Sequence, residues 1–289
     1  MSTQERHLYN HNPFLQFWAR TSYKFFHWVD DTFIGRHNLD PDVFDIASTT
    51  LPLPRLDAAF DGYRIVHISD LHTDTWLGVE RLEQVVRLVN AQEPDLTVIT
   101  GDFITYRNTT LIDRMAPVLA RLEAADGVMA VLGNHDYWSA PEEIQAMLEA
   151  AGIEHMGNRV RTLQRGAAAL HIAGLDDVYN KRDELQSVMA EIPPHGAAIL
   201  LVHVPDFADV AAATGRFDLS LSGHSHGGQL VLPWLGPLVL PPYGKKYYSG
   251  LYRVGGMYQY TTRGLGTSTF AVRLNCPPEI SVHTLRNAE

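Results

Sequence analysis

Five times along this chain an apolar run stops abruptly at residues able to bind a metal or activate a water. Residues 63–68 run into Asp70-Leu71-His72, and 96–100 into Gly101-Asp102. Residues 128–132 deliver Gly133-Asn134-His135-Asp136, 197–202 end at His203, and 219–221 lead into Ser222-Gly223-His224-Ser225-His226-Gly227-Gly228-Gln229. Runs of this length, bounded by glycine and polar residues, predict strands buried on both faces. Between them, Val79, Leu82, Val85, Val86 and Val89 keep helical spacing, and further helices are expected over 111–125, from Pro141 behind a Ser139 cap, over 183–191 and from Pro205 toward Thr214. Short alternating runs at 160–163 and 168–173 read as antiparallel strands. The alternation predicts an α/β fold, and ligand sites in open α/β sheets lie at the carboxyl ends of the strands, where these polar residues fall.

Carboxylate, imidazole and amide oxygen together suit divalent Mn, Fe or Zn, and the lack of thiolate disfavours a structural zinc site. Asp102 is the natural bridge, because one carboxylate can offer an oxygen to each of two ions about 4 Å apart. Such a pair clamps the attacking and leaving oxygens of a displacement at phosphorus and generates hydroxide near neutral pH, so no nucleophilic serine is needed. Taken singly, each residue has a plainer reading: Asp70 or Asp102 as a helix cap, Asn134 as a turn residue, His203 as a core histidine. Their joint recurrence at strand ends favours the metal reading. His67 fits no role in it and reads as structural.

In this order, Asp70-x-His72, Gly101-Asp102, Gly133-Asn134-His135-Asp136, His203 and Gly223-His224-x-His226 resemble the calcineurin-like metallophosphoesterases, from residue 63 to the carboxyl terminus. The resemblance implies a four-layer αββα sandwich of two mixed sheets. It implies that Asp70, His72 and His226 hold one metal and Asn134, His203 and His224 another, with Asp102 bridging. His135 would face the phosphoryl group as general acid or charge stabiliser, with Asp136 orienting it. Details after the histidine pair, in residues 227–229, 245–252 and 263–268, resemble the bacterial YkuE-like or YaeI-like phosphodiesterases, a branch similar to the hydrolases of UDP-2,3-diacylglucosamine. The expected activity is therefore hydrolysis of a phosphodiester or pyrophosphate by metal-bound hydroxide, on a phosphorylated lipid or nucleotide-type small substrate. The alternatives are a soluble nucleotide phosphodiesterase or phosphoprotein phosphatase and, in another class, a non-catalytic module that keeps metals for stability.

The 289 residues carry 23 Lys and Arg against 33 Asp and Glu, a net charge of −10, which opposes binding along a nucleic-acid backbone. One cysteine, Cys276, allows no internal disulfide, fits a reducing compartment and reads as structural. No secretory signal or spanning apolar run is visible, so the expected location is cytoplasmic, or peripheral on the inner face of the cell membrane. Residues 1–50 are read as an amino-terminal segment and linker, and 51–289 as the catalytic domain. Within the former, Phe14, Phe17, Trp18, Phe25, Phe26, Trp28 and Phe33 recur at three- and four-residue steps with Arg20 and Lys24 among them. That pattern describes an amphipathic helix for a membrane interface or an arm packed on the domain. His7, His11, His27 and His37 are too irregularly spaced to be ligands.

The loop 232–242 is apolar yet proline-rich, excluding a central strand or helix. It is expected either to contact acyl chains or a membrane surface, or to cover the core. Lys245, Lys246 and Arg253 follow it as candidate phosphate or headgroup contacts, and Arg263 in its glycine-rich turn is read as a fork of donors for a phosphate oxygen or, alternatively, as a pin for the turn.

Overall fold

The computed structural model describes residues 44–268 and 271–288. The aromatic segment 13–33, with Arg20, Lys24 and the four amino-terminal histidines, lies outside them. Two six-stranded mixed sheets face each other with helices on both outer sides, the expected αββα sandwich. In order, the elements are β1 (Asp45–Leu53), β2 (Arg64–Ile68), α1 (Gly78–Asn90), β3 (Leu96–Thr100), α2 (Thr109–Leu119), β4 (Val128–Val131), α3 (Asn134–Ser139), α4 (Pro141–Ala150), β5 (Glu154–His155), β6 (Arg159–Arg165) and β7 (Ala168–Gly174). There follow α5 (Leu185–Glu191), β8 (Ala197–Leu201), α6 (Ala208–Ala213), β9 (Leu219–Ser222), β10 (Val231–Leu232), β11 (Gly236–Pro237), β12 (Gly250–Val254), β13 (Met257–Thr261) and β14 (Glu279–Asn287).

The first sheet runs β1-β14-β2-β3-β4-β5 and the second β12-β13-β9-β8-β7-β6. Strands β2, β3 and β4 are parallel to one another, as are β7, β8 and β9, so each set sends its carboxyl ends to one rim. Alternate residues of the two sheets, among them Ile65, Val98 and Val131 facing Ile172, Ile199 and Leu221, form the middle core. The other faces take helices. α1 buries Val79, Leu82, Val85, Val86 and Val89, each worth about 1.5–3 kcal/mol. On the second sheet, Val188 of α5 and Ala208 and Ala211 of α6 close the outer core.

The structure moves several boundaries. β1 pairs in parallel with β14 from Asp45 onward, so the expected division after residue 50 falls inside a strand of the first sheet. The second helix stops at Leu119 rather than near 125. Ser139 ends α3 and donates to the Thr105 carbonyl at 3.0 Å; Ala140 precedes Pro141 at the start of α4. Within the apolar loop, β10 and β11 form a minimal antiparallel hairpin.

Candidate metal centre

Five strand ends converge. Asp70 and His72 follow β2, Asp102 follows β3, Asn134 and His135 open α3 after β4, and His203, His224 and His226 follow β8 and β9. The backbone turns so sharply that Asp70, His72, Asp102, His224 and His226 all take positive φ, between 40° and 69°. Non-glycine residues enter that region at a cost, which surrounding structure must hold in place and which recurs at functional sites. Two glycines admit the crowding. A Cβ on Gly133 would run into the Asp102 carboxylate, and one on Gly223 into Ser69 and the Asp70 carboxylate.

The donor atoms form two buried trios, Asp70–His72–His226 and Asp102–His203–His224, each with its ligand atoms within 4.8 Å of one another. Nε2 of His72 and His226 lie 3.1 Å apart, and His203 Nε2 is 3.3 Å from His224 Nδ1. One oxygen of Asp102, Oδ2, stands 3.1 Å from His203 Nε2 and 3.6 Å from His72 Nε2, so it reaches a member of each trio. Asn134 Oδ1 is buried with no hydrogen-bond partner among the described residues. Facing nitrogens and an orphaned amide oxygen are unfavourable among themselves and favourable around cations, so the residues fit a pair of divalent ions.

Hydrogen bonds fix the donors from behind. His72 Nδ1 meets Thr105 Oγ1 at 2.7 Å, His203 Nδ1 meets the Thr100 carbonyl at 2.6 Å, and His224 Nε2 meets the Pro242 carbonyl at 2.8 Å. Such partners set the ring orientation and tautomer of a ligating histidine. Main-chain N–H of His224 donates to both oxygens of Asp70 at 3.0 Å. Burial lowers His72 and His224 to about 3, and His226 well below the usual imidazole range; neutral imidazole is the form that ligates. Burial also opposes protonation of His203, but the charge and hydrogen bond of Asp102, with Asp70, carry it up to about 10. For Asp102 burial is outweighed by His203, His135 and His72, which hold the carboxyl well below its usual range. Asp70, where burial dominates, is pushed up to about 7.

No hydrogen bond joins Asp136 to the His135 ring among the described residues. Asp136 Oδ2 accepts N–H bonds from Asp102 and Gly133, both at 2.9 Å, and its Oδ1 accepts from Phe103 at 2.8 Å and Ile104 at 3.4 Å. It therefore orders the Asp102 loop, while His135 Nδ1 is buried with no partner among the described residues. His135 is placed by its own N–H, which donates to Asp102 Oδ1 at 2.9 Å, and by its ring against Trp138, 4.9 Å between centroids.

Three of the four expected substrate cations make other contacts. Arg263 binds Glu279 through Nε and Asp45 through a terminal nitrogen. Lys246 Nζ lies 2.7 Å from Asp209, and the Arg253 guanidinium sits over the Tyr258 ring at 4.2 Å. Lys245 is exposed, and its main-chain N–H donates to Asp206. None of these four lines the cavity over the trios. That cavity, about 260 Å³, is lined by Asp102, Asn134, His135, His224 and His226 of the candidate centre, by the aromatic residues Trp138 and Tyr179, and by the apolar Leu230, Leu238, Val239 and Pro241.

Sequence reasoning missed both aromatic residues, which lie in no metal motif. It also missed Arg273, whose buried guanidinium donates to the carbonyls of Gly266 and Arg263 and comes within 3.5 Å of His226 Nδ1. A charged residue in the run Ala271-Val272-Arg273-Leu274 was the available signal.

A sandwich with two buried His and Asp trios at one rim is the architecture of a metallohydrolase, and the chain belongs to the calcineurin-like phosphoesterases, whose family description matches residues 63–228. It is a metal-dependent phosphoric ester hydrolase. It is 34% identical over 255 residues to the metallophosphoesterase YkuE of Bacillus subtilis, covering 86% of this chain and 88% of that one. Phosphodiesterase YaeI of Escherichia coli is 29% identical over 253 residues, covering 85% of this chain and 90% of that one, and the UDP-2,3-diacylglucosamine pyrophosphatase LpxG of Chlamydia trachomatis is 26% identical over 308 residues, covering 86% of this chain and 91% of that one.

Proposed function

We propose that the protein hydrolyses a phosphodiester or pyrophosphate bond in an amphipathic substrate, lipid-linked or of nucleotide-sugar type, with two divalent cations at the trios. Asp70, His72 and His226 would hold one, and Asn134, His203 and His224 the other. The position of Asp102 Oδ2, within 3.6 Å of a histidine of each trio, carries this reading, because it is where a bridging ligand belongs. Bound there, the cations supply Lewis-acid charge for the phosphoryl oxygens and acidify a water. The chain does the rest. Asn134 and His224 also line the cavity, so a phosphoryl group held there would sit directly against the ligand set. His135 would hold a proton on its imidazole for the leaving oxygen, kept in place by Asp102 and Trp138. Asp136 keeps the loop in register.

Two observations support an apolar portion in the substrate. Leu238 and Val239 line the cavity yet are largely exposed, and the hairpin beside them ends in Trp234 and Leu235, both exposed. Such a patch next to a polar site suits an acyl chain or a lipid surface. The first described residues also lie at this rim, since Asp45 pairs with Glu279 at the amino end of β14, which is antiparallel to β2. The relation to LpxG favours the same substrate chemistry.

The test is turnover of UDP-2,3-diacylglucosamine, bis-p-nitrophenyl phosphate and a phosphopeptide by protein loaded with Mn, Fe or Zn, with and without detergent, beside sedimentation of the full chain with liposomes. Preferred turnover of the diacyl substrate is expected. Phosphopeptide turnover alone would replace the reading with a phosphatase, and no turnover of any ester by metal-loaded protein would leave a non-catalytic metal module.

A further inference from the structure

We propose that Trp138 and Tyr179 form a ring-binding subsite, which takes a planar heteroaromatic substituent carried on the phosphate, and so divides the cavity into a π-wall and an apolar wall. The inference rests on the phosphoesterase reading above and names which side of the cavity receives which part of the substrate.

The two rings stand next to the reacting region. Trp138 packs edge-on against His135 with 4.9 Å between centroids, and Tyr179 packs edge-on against Trp138 at 5.3 Å. Tyr179 continues the row to His224 at 5.9 Å and to Tyr243 at 5.6 Å. Both rings line the cavity and both are only half-buried, so part of each aromatic surface faces the space above the trios.

They are also held still. Trp138 Nε1 donates to Asn180 Oδ1 at 3.2 Å, Asn180 donates in turn to Asp177, and Asp177 accepts the Tyr179 main-chain N–H at 2.9 Å. Asp177 is 1% exposed. One buried carboxylate therefore fixes both rings, and aromatic surface fixed in advance binds a flat ligand without losing rotamer freedom on binding. A purely structural tryptophan would not need its indole pinned beside an open cavity by a side chain from another segment. The other apolar lining residues, Leu230, Leu238, Val239 and Pro241, offer no aromatic ring. A phosphate at the trios then directs a flat substituent toward Trp138 and an aliphatic one toward Val239.

Competition against hydrolysis of methyl p-nitrophenyl phosphate by the metal-loaded full chain tests this, with uridine 5′-monophosphate and ribose 5-phosphate as inhibitors that differ only in the base. Base stacking on an aromatic side chain makes the nucleotide the stronger inhibitor by about tenfold. Trp138→Leu, which keeps bulk but removes the π-face, is expected to bring the ratio of the two inhibition constants near unity, and Trp138→Phe to restore most of it. Equal inhibition in the unaltered protein, or a ratio unchanged in Trp138→Leu, would overturn the subsite while leaving the phosphoesterase reading intact. That reading fails separately, by absence of ester turnover. Should Trp138→Leu not fold, Tyr179→Leu with Tyr179→Phe gives the same ratio readout.

Discussion

Asp136 Oδ2 accepts the main-chain N–H of Asp102 at 2.9 Å, so the acid of the Asn-His-Asp motif supports the backbone of the carboxylate placed between the trios. Removing it leaves the N–H groups of Asp102, Phe103 and Gly133 buried without their acceptor. Asp136→Ala is expected to lower stability by about 3 kcal/mol or more, read from urea unfolding, and to reduce metal content along with rate. A pure rate defect with unchanged stability would instead point to a role on the His135 ring.

His135 and Asp102 should separate chemistry from metal binding. His135→Ala is expected to keep both metals by elemental analysis and to lose turnover by about 10²-fold or more, the usual contribution of a positioned proton donor. Asp102→Asn should lose metal and rate together. A full metal complement in Asp102→Asn would remove the bridge from the proposal.

A second pair of histidines, His67 and His283, is expected to contribute to acid stability. His283 meets Thr49 Oγ1 through Nδ1 at 2.6 Å, while His283 Nε2 and His67 Nδ1 are buried without partners among the described residues. Burial lowers His283 to about 3. The unfolded chain, with an imidazole near its ordinary 6.5, therefore binds the proton first, and the stability of the neutral fold is lost as pH falls below about 6.5. His283→Gln should lose about 1 to 2 kcal/mol less than the unaltered protein between pH about 7.5 and about 5, measured by urea midpoints in chelator. Parallel pH profiles would show that His283 does not carry the effect.

Arg263 is expected to behave as a strut. With Asp45 on one side and the nearly buried Glu279 on the other, Arg263→Ala should cost about 3 kcal/mol, because Glu279 loses its counter-charge in a dry site. KM for a small phosphodiester should change less than about twofold, against the tenfold or more expected of a lost phosphate contact. A large KM effect at unchanged stability would restore the phosphate role.

Much of this arrangement was legible because strand burial and metal chemistry leave separate marks. Residues 197–201 are apolar throughout and 96–100 are broken only by Thr97 and Thr100, and they end just before His203 and Asp102, so the strand and the donor could be read from one short stretch. Side-chain partners were not legible in the same way. Asp136 was assigned to its neighbour in sequence, yet it serves a loop some 30 positions away. Arg263 sits in a glycine-rich turn that suggested an anion, and its partners are Asp45 and Glu279, brought there only when β1 and β14 pair. β1 itself was hidden because Asp45–Leu53 alternates exposed and intermediate residues before its buried end, the signature of an edge strand with a weak apolar signal. Trp138 and Tyr179 carry no spacing rule that joins them.

Each donor trio is split between the two sheets: Asp70 and His72 hang from the first and His226 from the second, while Asp102 hangs from the first and His203 and His224 from the second. Ions bound as proposed above would each tie one sheet to the other, a cross-link to which both sheets must contribute.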